Sequence, residues 1–99
     1  MKLYDIAHSR TGDKGNISTI SVIAYREEDY PKLCEKLTKA KVLQWFAPIG
    51  ATKVKRYEIP SLGALNFVLE NTLGGGVTRS LALDPHGKSL SGLMLEMDL

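Results

Sequence analysis

The sequence predicts one α+β domain: a four- or five-stranded, mainly antiparallel sheet with helices on one face. Three observations predict it. Segments alternating apolar and polar residues, such as 17–25 and 52–59, interleave with segments of helical spacing, such as 28–37. The 99 residues amount to one domain's worth of chain. Two or three amphipathic helices and four or five strands bury their apolar sides most simply as a helical layer on a sheet.

Composition excludes several classes. The 43% hydrophobic and 24% charged fractions are those of a globular protein and argue against disorder over the whole chain. A formal net charge of +2 is too small for the dense basic face that nucleic acid requires, so no nucleic-acid partner is expected. The lone Cys34 cannot make an internal disulfide or a cysteine-rich zinc site. With only His8 and His86 beside it, no metal is assigned. The first twenty residues hold no apolar run like a signal peptide, and no stretch approaches the roughly 20 apolar residues that span a bilayer. The expectation is a cytoplasmic protein with no membrane partner.

The elements follow in order. Residues 2–8 alternate as a strand, with Tyr4 and Ile6 on one face and Asp5 on the other. Residues 9–16 contain two glycines and no large apolar side chain, which predicts a loop. In a second strand over 17–25, Ile20, Val22 and Ala24 face one way and Thr19 and Ser21 the other. From about residue 28, Tyr30, Leu33, Cys34 and Leu37 recur at helical spacing, with Pro31 in the tolerant first turn. Thr38 is suited to cap a second short helix carrying Val42, Leu43 and Phe46, which Pro48 and Gly50 stop. A third strand over 52–59 puts Lys53, Lys55 and Tyr57 on one side. Pro60 and Ser61 then predict a helix start, with Leu62, Leu65, Val68, Leu69 and Thr72 as its stripe and Gly74 to Gly76 as its end. A fourth strand over 77–83 leads to a type I turn at Asp84-Pro85-His86-Gly87. A short helix or turn to about residue 92 and a final strand complete the expectation.

Three places could carry chemistry. Arg10-Thr11-Gly12-Asp13-Lys14-Gly15-Asn16 has glycines that allow positive φ, so that backbone N–H groups converge as an anion-binding nest. Arg10 and Lys14 would add charge, and Asp13 or Asn16 could orient a polar substrate. The same residues also suit a plain hairpin connection. Because a strand follows, the segment is not a P-loop. Gly74-Gly75-Gly76-Val77-Thr78-Arg79-Ser80 has more glycine than a helix end requires. Close approach of a ligand would explain Gly75 and Gly76, and Thr78, Arg79 and Ser80 suit a carboxylate or phosphate. A flexible helix-to-strand connection explains them too. Asn66 interrupts an apolar run, either to hold a nearby loop or to sit on the wet side of its element. His8 ends the first expected strand; anchoring the adjacent loop by a hydrogen bond is preferred over acid–base work.

Four stretches in one order resemble a known family. They are Asp5-Ile6-Ala7-His8-Ser9-Arg10-Thr11-Gly12-Asp13-Lys14-Gly15-Asn16, Arg56-Tyr57-Glu58-Ile59-Pro60, Ala64-Leu65-Asn66-Phe67-Val68-Leu69 and Gly74-Gly75-Gly76-Val77-Thr78-Arg79-Ser80. Together they are similar to the small ferredoxin-fold domain of the acyclic terpene utilization (AtuA-like) family, over about residues 2–98. Thr11 stands where the family motif more often has serine, which keeps a hydroxyl. The resemblance implies a ferredoxin-like sandwich that accompanies a larger AtuA-like part, as a subunit or in a stand-alone relative. The family name points to acyclic terpenoid breakdown, whose intermediates travel as coenzyme A thioesters. The expected function is therefore an accessory subunit of a catabolic enzyme that helps bind a small anion, such as an acyl-CoA or carboxylate. A non-catalytic interaction subunit and an independent homo-oligomeric enzyme with a site shared between chains stay open as alternatives. No catalytic residue and no cofactor is assigned. The expected partners are a larger AtuA-like subunit or further copies of the chain, and a small anionic ligand.

Overall fold

Alternation over residues 17–24 and again over 64–70 gives two strands whose inward side chains are fully buried. In the first they are Ser18, Ile20 and Val22; in the second, Leu65, Phe67 and Leu69. These two strands form the middle of the sheet. The computed structural model describes residues 1–14, 17–70 and 89–99, and their side chains except at 13, 14, 49 and 89.

A single 3-10 turn at Leu3–Asp5 precedes β1 (Ala7–Lys14) and β2 (Ile17–Ala24). A 3-10 turn at Glu27–Asp29 runs into α1 (Tyr30–Lys36), followed by α2 (Lys39–Phe46) and a 3-10 turn at Ala47–Ile49. Next come β3 (Lys53–Ile59), a 3-10 turn at Pro60–Leu62 and β4 (Ala64–Glu70). The last described helix is α3 (Ser89–Leu95). The sheet order is β1-β2-β4-β3, and every neighbouring pair is antiparallel. β2 and β3 therefore run parallel to each other with β4 between them. With α1 and α2 as the crossover, they make the split β-α-β unit of a ferredoxin-like α+β arrangement.

The helices cover one face. Leu33 of α1, Val42 and Phe46 of α2 and Leu90 and Met94 of α3 are buried against Ala7, Ile20, Val22, Val54, Leu65, Phe67 and Leu69. Each large apolar side chain so buried contributes on the order of 1.5–3 kcal/mol. Local chemistry sets the helix ends. Pro31 occupies the first turn of α1, and Thr38 Oγ1 accepts from the Lys41 backbone N–H at 3.1 Å to cap α2. Gly50, at φ 105°, takes the left-handed turn that releases the chain toward β3. Trp45 Nε1 donates to the Leu93 carbonyl at 3.1 Å and ties α2 to the C-terminal segment. The chain ends meet: Leu3 N donates to Met97 O and Leu99 N to Met1 O, each at 2.9 Å.

Several expectations need correction. Residues 2–6 are a turn rather than a strand, because Leu3 and Ile6, three apart, both enter the core while the Asp5 carboxylate accepts from the Lys2 N–H. Residues 9–14 belong to β1 rather than a loop; Ser9, Arg10, Thr11 and Gly12 pair in register with Val22, Ser21, Ile20 and Thr19. The expected helix from Ser61 is strand β4. Leu65, Phe67 and Leu69 satisfy a two-residue period as well as Leu65, Val68 and Leu69 satisfy a helical one, and pairing on both edges decided between them. Gly63, at φ 60°, makes Pro60–Gly63 a tight hairpin connection. At the C-terminus the helix continues to Leu95, and the expected final strand is reduced to one bridge between Lys2 and Asp98. The expected strand over 77–83 and the turn at 84–87 lie outside the described residues.

Two predictions follow from this packing. Phe67→Ala should cost about 3–5 kcal/mol in urea unfolding, and Leu62→Ala, at a 67% exposed position, within about 0.5 kcal/mol of nothing. A helix over 61–72 would put both residues on apolar or flanking positions and give comparable losses. The second concerns Tyr30, whose ring is half-buried and whose hydroxyl is shut off from solvent without a hydrogen-bond partner. Burial pushes its phenol above the ordinary 10.0, and the Cys34 thiol beside it adds to the rise. Above pH 10 the unfolded chain releases this proton while the folded chain keeps it. Stability is thus intact below pH 10 and falls as pH rises through the folded value. Tyr30→Phe should remove that part of the alkaline loss. Parallel stability–pH curves for the two proteins would show that the hydroxyl titrates alike in both states.

Candidate functional site on the open sheet face

The alternation that sends Ile20 and Phe67 into the core sends their neighbours to the other face, which no described helix covers. The register lines these neighbours up in rows across all four strands. One row reads His8, Ile23, Ala64, Ile59; the next Arg10, Ser21, Asn66, Tyr57; the third Gly12, Thr19, Val68, Lys55. The middle row is polar throughout. Ser21 Oγ donates to Asn66 Oδ1 at 3.0 Å, so the two central strands carry a hydrogen-bonded pair at its centre. Exposed Arg10 stands at one end and half-exposed Tyr57 at the other. Arg10 and Asn66 are two strands apart, about 10 Å between their backbones. On the adjoining row His8 stacks on Tyr25, with ring centroids 5.4 Å apart and planes 25° from parallel.

Gly12 sits on this face in β1, with no positive φ, and a Cβ placed there would meet nothing within 4 Å. Neither turn geometry nor close packing accounts for it. It leaves the surface beside Arg10 low. The nest expected from a positive φ at this glycine is therefore absent at Gly12 itself. Charge on the face is partly compensated: Lys53 Nζ lies 3.8 Å from Glu70 Oε2. The Arg10 and Lys55 side chains make no ion pair or hydrogen bond among the described residues. The helix-facing side of the same hairpin is also polar. Ser9 Oγ donates to the Ser91 carbonyl at 2.9 Å, which pins α3 to β1, whereas Thr11 Oγ1 and Ser18 Oγ are buried without partners.

Of the residues singled out in the sequence, Arg10, Gly12 and Asn66 thus share one face. Asp13 and Lys14 close β1, their backbones paired with Ser18 and Ile17. Gly15, Asn16, Gly75, Gly76, Thr78, Arg79 and Ser80 lie outside the described residues. Glu70, the last described residue before the second glycine segment, pairs with Ile17, so the chain leaves β4 beside the β1–β2 turn. Asn66 lies on a strand rather than a helix, and its partner is Ser21 rather than the first glycine segment. Sequence reasoning passed over Ser21, Tyr25 and Tyr57. Ser21 and Tyr57 were already on the outward side of their alternating strands, which was the available signal.

A family model described as the AtuA ferredoxin-like domain matches residues 1–99. The chain belongs to this family. No curated protein and no solved structure shows significant similarity to it. In this AtuA ferredoxin-like chain, no group of three or more His, Cys, Asp or Glu among the described residues could hold a metal ion. No described helix is long and apolar enough to cross a membrane.

The polar row yields a direct test. Ser21→Ala and Asn66→Ala should each cost about 0.5–1.5 kcal/mol and should couple in a double-mutant cycle. Additive losses would mean that the two side chains are independent in solution.

Proposed function

We propose that this AtuA ferredoxin-like chain acts as a small or accessory part of a larger catabolic enzyme, where it helps bind an anionic small molecule such as an acyl-CoA or a carboxylate. The observation that carries the reading is the polar row on the open face. An Arg10 with no counter-charge among the described residues, a positioned Ser21–Asn66 pair and a Gly12 that no described residue crowds lie together on a surface that the core does not need. Family membership supports a larger context, since the resemblance implies a domain that works beside a bigger AtuA-like part. In this reading Arg10 and Lys14, with Asp13, Gly15 and Asn16 next to them, meet Gly75, Gly76, Thr78, Arg79 and Ser80 around one anion. Arginine and lysine would hold its charge and asparagine would orient it.

A second reading is an interaction subunit without a ligand of its own, or a homo-oligomer sharing a site. The apolar share of the open face favours it. Ile17, Tyr25 and Tyr57 are well exposed there, and Ile23, Ile59 and Val68 are only partly covered. Such a face suits a protein partner.

Calorimetric titration with coenzyme A and with short carboxylates separates the readings. Under the ligand reading, Arg10→Ala and Arg79→Ala each weaken binding by about tenfold or more with little change in melting temperature. Absence of saturable binding, together with capture of a larger AtuA-like protein through the open face, would transfer the assignment to the interaction subunit.

A further inference from the structure

At the outer edge of β3, which no described strand pairs, lies a second surface with an excess of positive charge. A cleft of about 450 Å³ is lined by Thr38, Lys39, Lys55, Arg56 and Tyr57. That is within the ordinary range for small-ligand sites, roughly 300–1,000 Å³. It wraps around the strand edge, taking Lys55 and Tyr57 from the open face, Arg56 from the helix side, and Thr38 and Lys39 from the start of α2.

The three cations are not equivalent. Arg56 is committed to the fold: Nη2 donates to the Cys34 carbonyl at 3.0 Å, and Nη1 lies 3.3 Å from Glu58 Oε2. Its Nε is buried, with no partner among the described residues. Lys39 and Lys55 are exposed, and their side chains make no ion pair or hydrogen bond among the described residues. Lys39 is moreover in the first turn of α2, which holds no acidic residue and where the helix dipole disfavours a cation. That charge is badly placed for α2 alone and well placed for an anion between the two lysines. The ammonium groups are mobile point charges, while the guanidinium fork is already occupied by a carbonyl and a carboxylate. Planar, bidentate recognition of a carboxylate is thereby disfavoured relative to a tetrahedral dianion.

We infer that this cleft binds a small phosphorylated molecule through Lys39 and Lys55, with Tyr57 and Thr38 bordering the phosphate. The cleft shares Lys55 and Tyr57 with the far end of the open face but uses neither Arg10 nor the Ser21–Asn66 pair, so its test is independent of the reading built on them.

Inorganic pyrophosphate serves as probe, with succinate as the carboxylate comparator, at low ionic strength where exposed charges are least screened. Binding is followed by calorimetry and by the backbone amide resonances of the full chain. Pyrophosphate should bind saturably, shift the amides of Lys39, Ala40 and Lys55, and bind more tightly than succinate. The double variant Lys39→Ala/Lys55→Ala should lose about tenfold or more in affinity, whereas Lys32→Ala, removing an exposed charge on α1, should leave it unchanged. Both lysines are exposed, so the melting temperature should hold. Lys55→Gln alone supplies a milder variant, with a smaller loss expected. No saturable binding, unchanged affinity in the double variant, equal loss in Lys32→Ala, or shifts confined to β1 would each overturn the assignment. Succinate binding as tightly as pyrophosphate would overturn the choice of phosphate.

Discussion

The insertion of β4 between β2 and β3 is the constraint on which the rest of this structure depends. It places Phe67 opposite Ile20 and Leu65 opposite Val22, so the centre of the core is one set of cross-strand pairs. A strand's side chains alternate strictly, so a slip by one residue would move every apolar side chain of β4 to the open face. The same register sets Asn66 opposite Ser21 on the far side. Core and open face are thus two consequences of one pairing. The burial that stabilises the fold also holds the polar row in place, without any extra element built for that purpose.

That division puts charge at the margins. Apart from Glu70 at the end of β4, β2 and β4 carry small, β-branched or amide side chains on the open face, while Arg10, Lys53 and Lys55 stand on the edge strands β1 and β3. Charged edges keep sheets from pairing with one another, which explains the presence of such residues without any ligand. What edge protection does not explain is their unequal compensation. Lys53 has Glu70 beside it and Arg56 has Glu58, whereas Arg10, Lys55 and Lys39 have no described counter-charge. Lys32 and Lys36 on α1 are likewise unpaired among the described residues, but Arg10 stands at one edge of the sheet and Lys55 with Lys39 at the other, which makes an anion surface at each edge a physical question.

Much of the fold was legible in the residues, and the failures have identifiable causes. The Thr38 cap, the Pro31 entry to α1, the alternation of β2 and the outward lysines of β3 each rest on local chemistry that tertiary packing did not override. The segment from Pro60 is ambiguous because Leu65 and Leu69 fit both periods, Leu62 and Val68 completing a helical stripe and Phe67 a strand alternation. The deciding signal was Gly63, whose left-handed conformation closes a hairpin and cannot sit in the first turn of a helix without cost. The first glycine segment was misread for the opposite reason: small and polar residues were taken for a loop, yet an edge strand with one open face needs few large side chains. Of the site, the outward positions of Arg10 and Asn66 could be suspected from residue type. Their sharing a face could not, because it depends on β4 being a strand between two others.

The motif from Asp5 to Asn16 is best understood by separating what packing demands of it from what it does not. Asp5 caps the opening turn, Ala7 is fully buried, and Ser9 holds the backbone of α3. These three account for their own identities through the fold. His8, Arg10 and Gly12 alternate with them and point the other way. His8 gains a ring partner in Tyr25, but among the described residues neither Arg10 nor Gly12 has a side-chain contact that would penalise its replacement. A glycine in a strand is unfavourable relative to alanine by roughly 0.5–1 kcal/mol, a cost that none of the described residues offsets at position 12. Close approach of another backbone or of a ligand to β1 is the kind of contact that would offset it. The functional argument therefore rests on Arg10 and Gly12 more than on the motif as a whole.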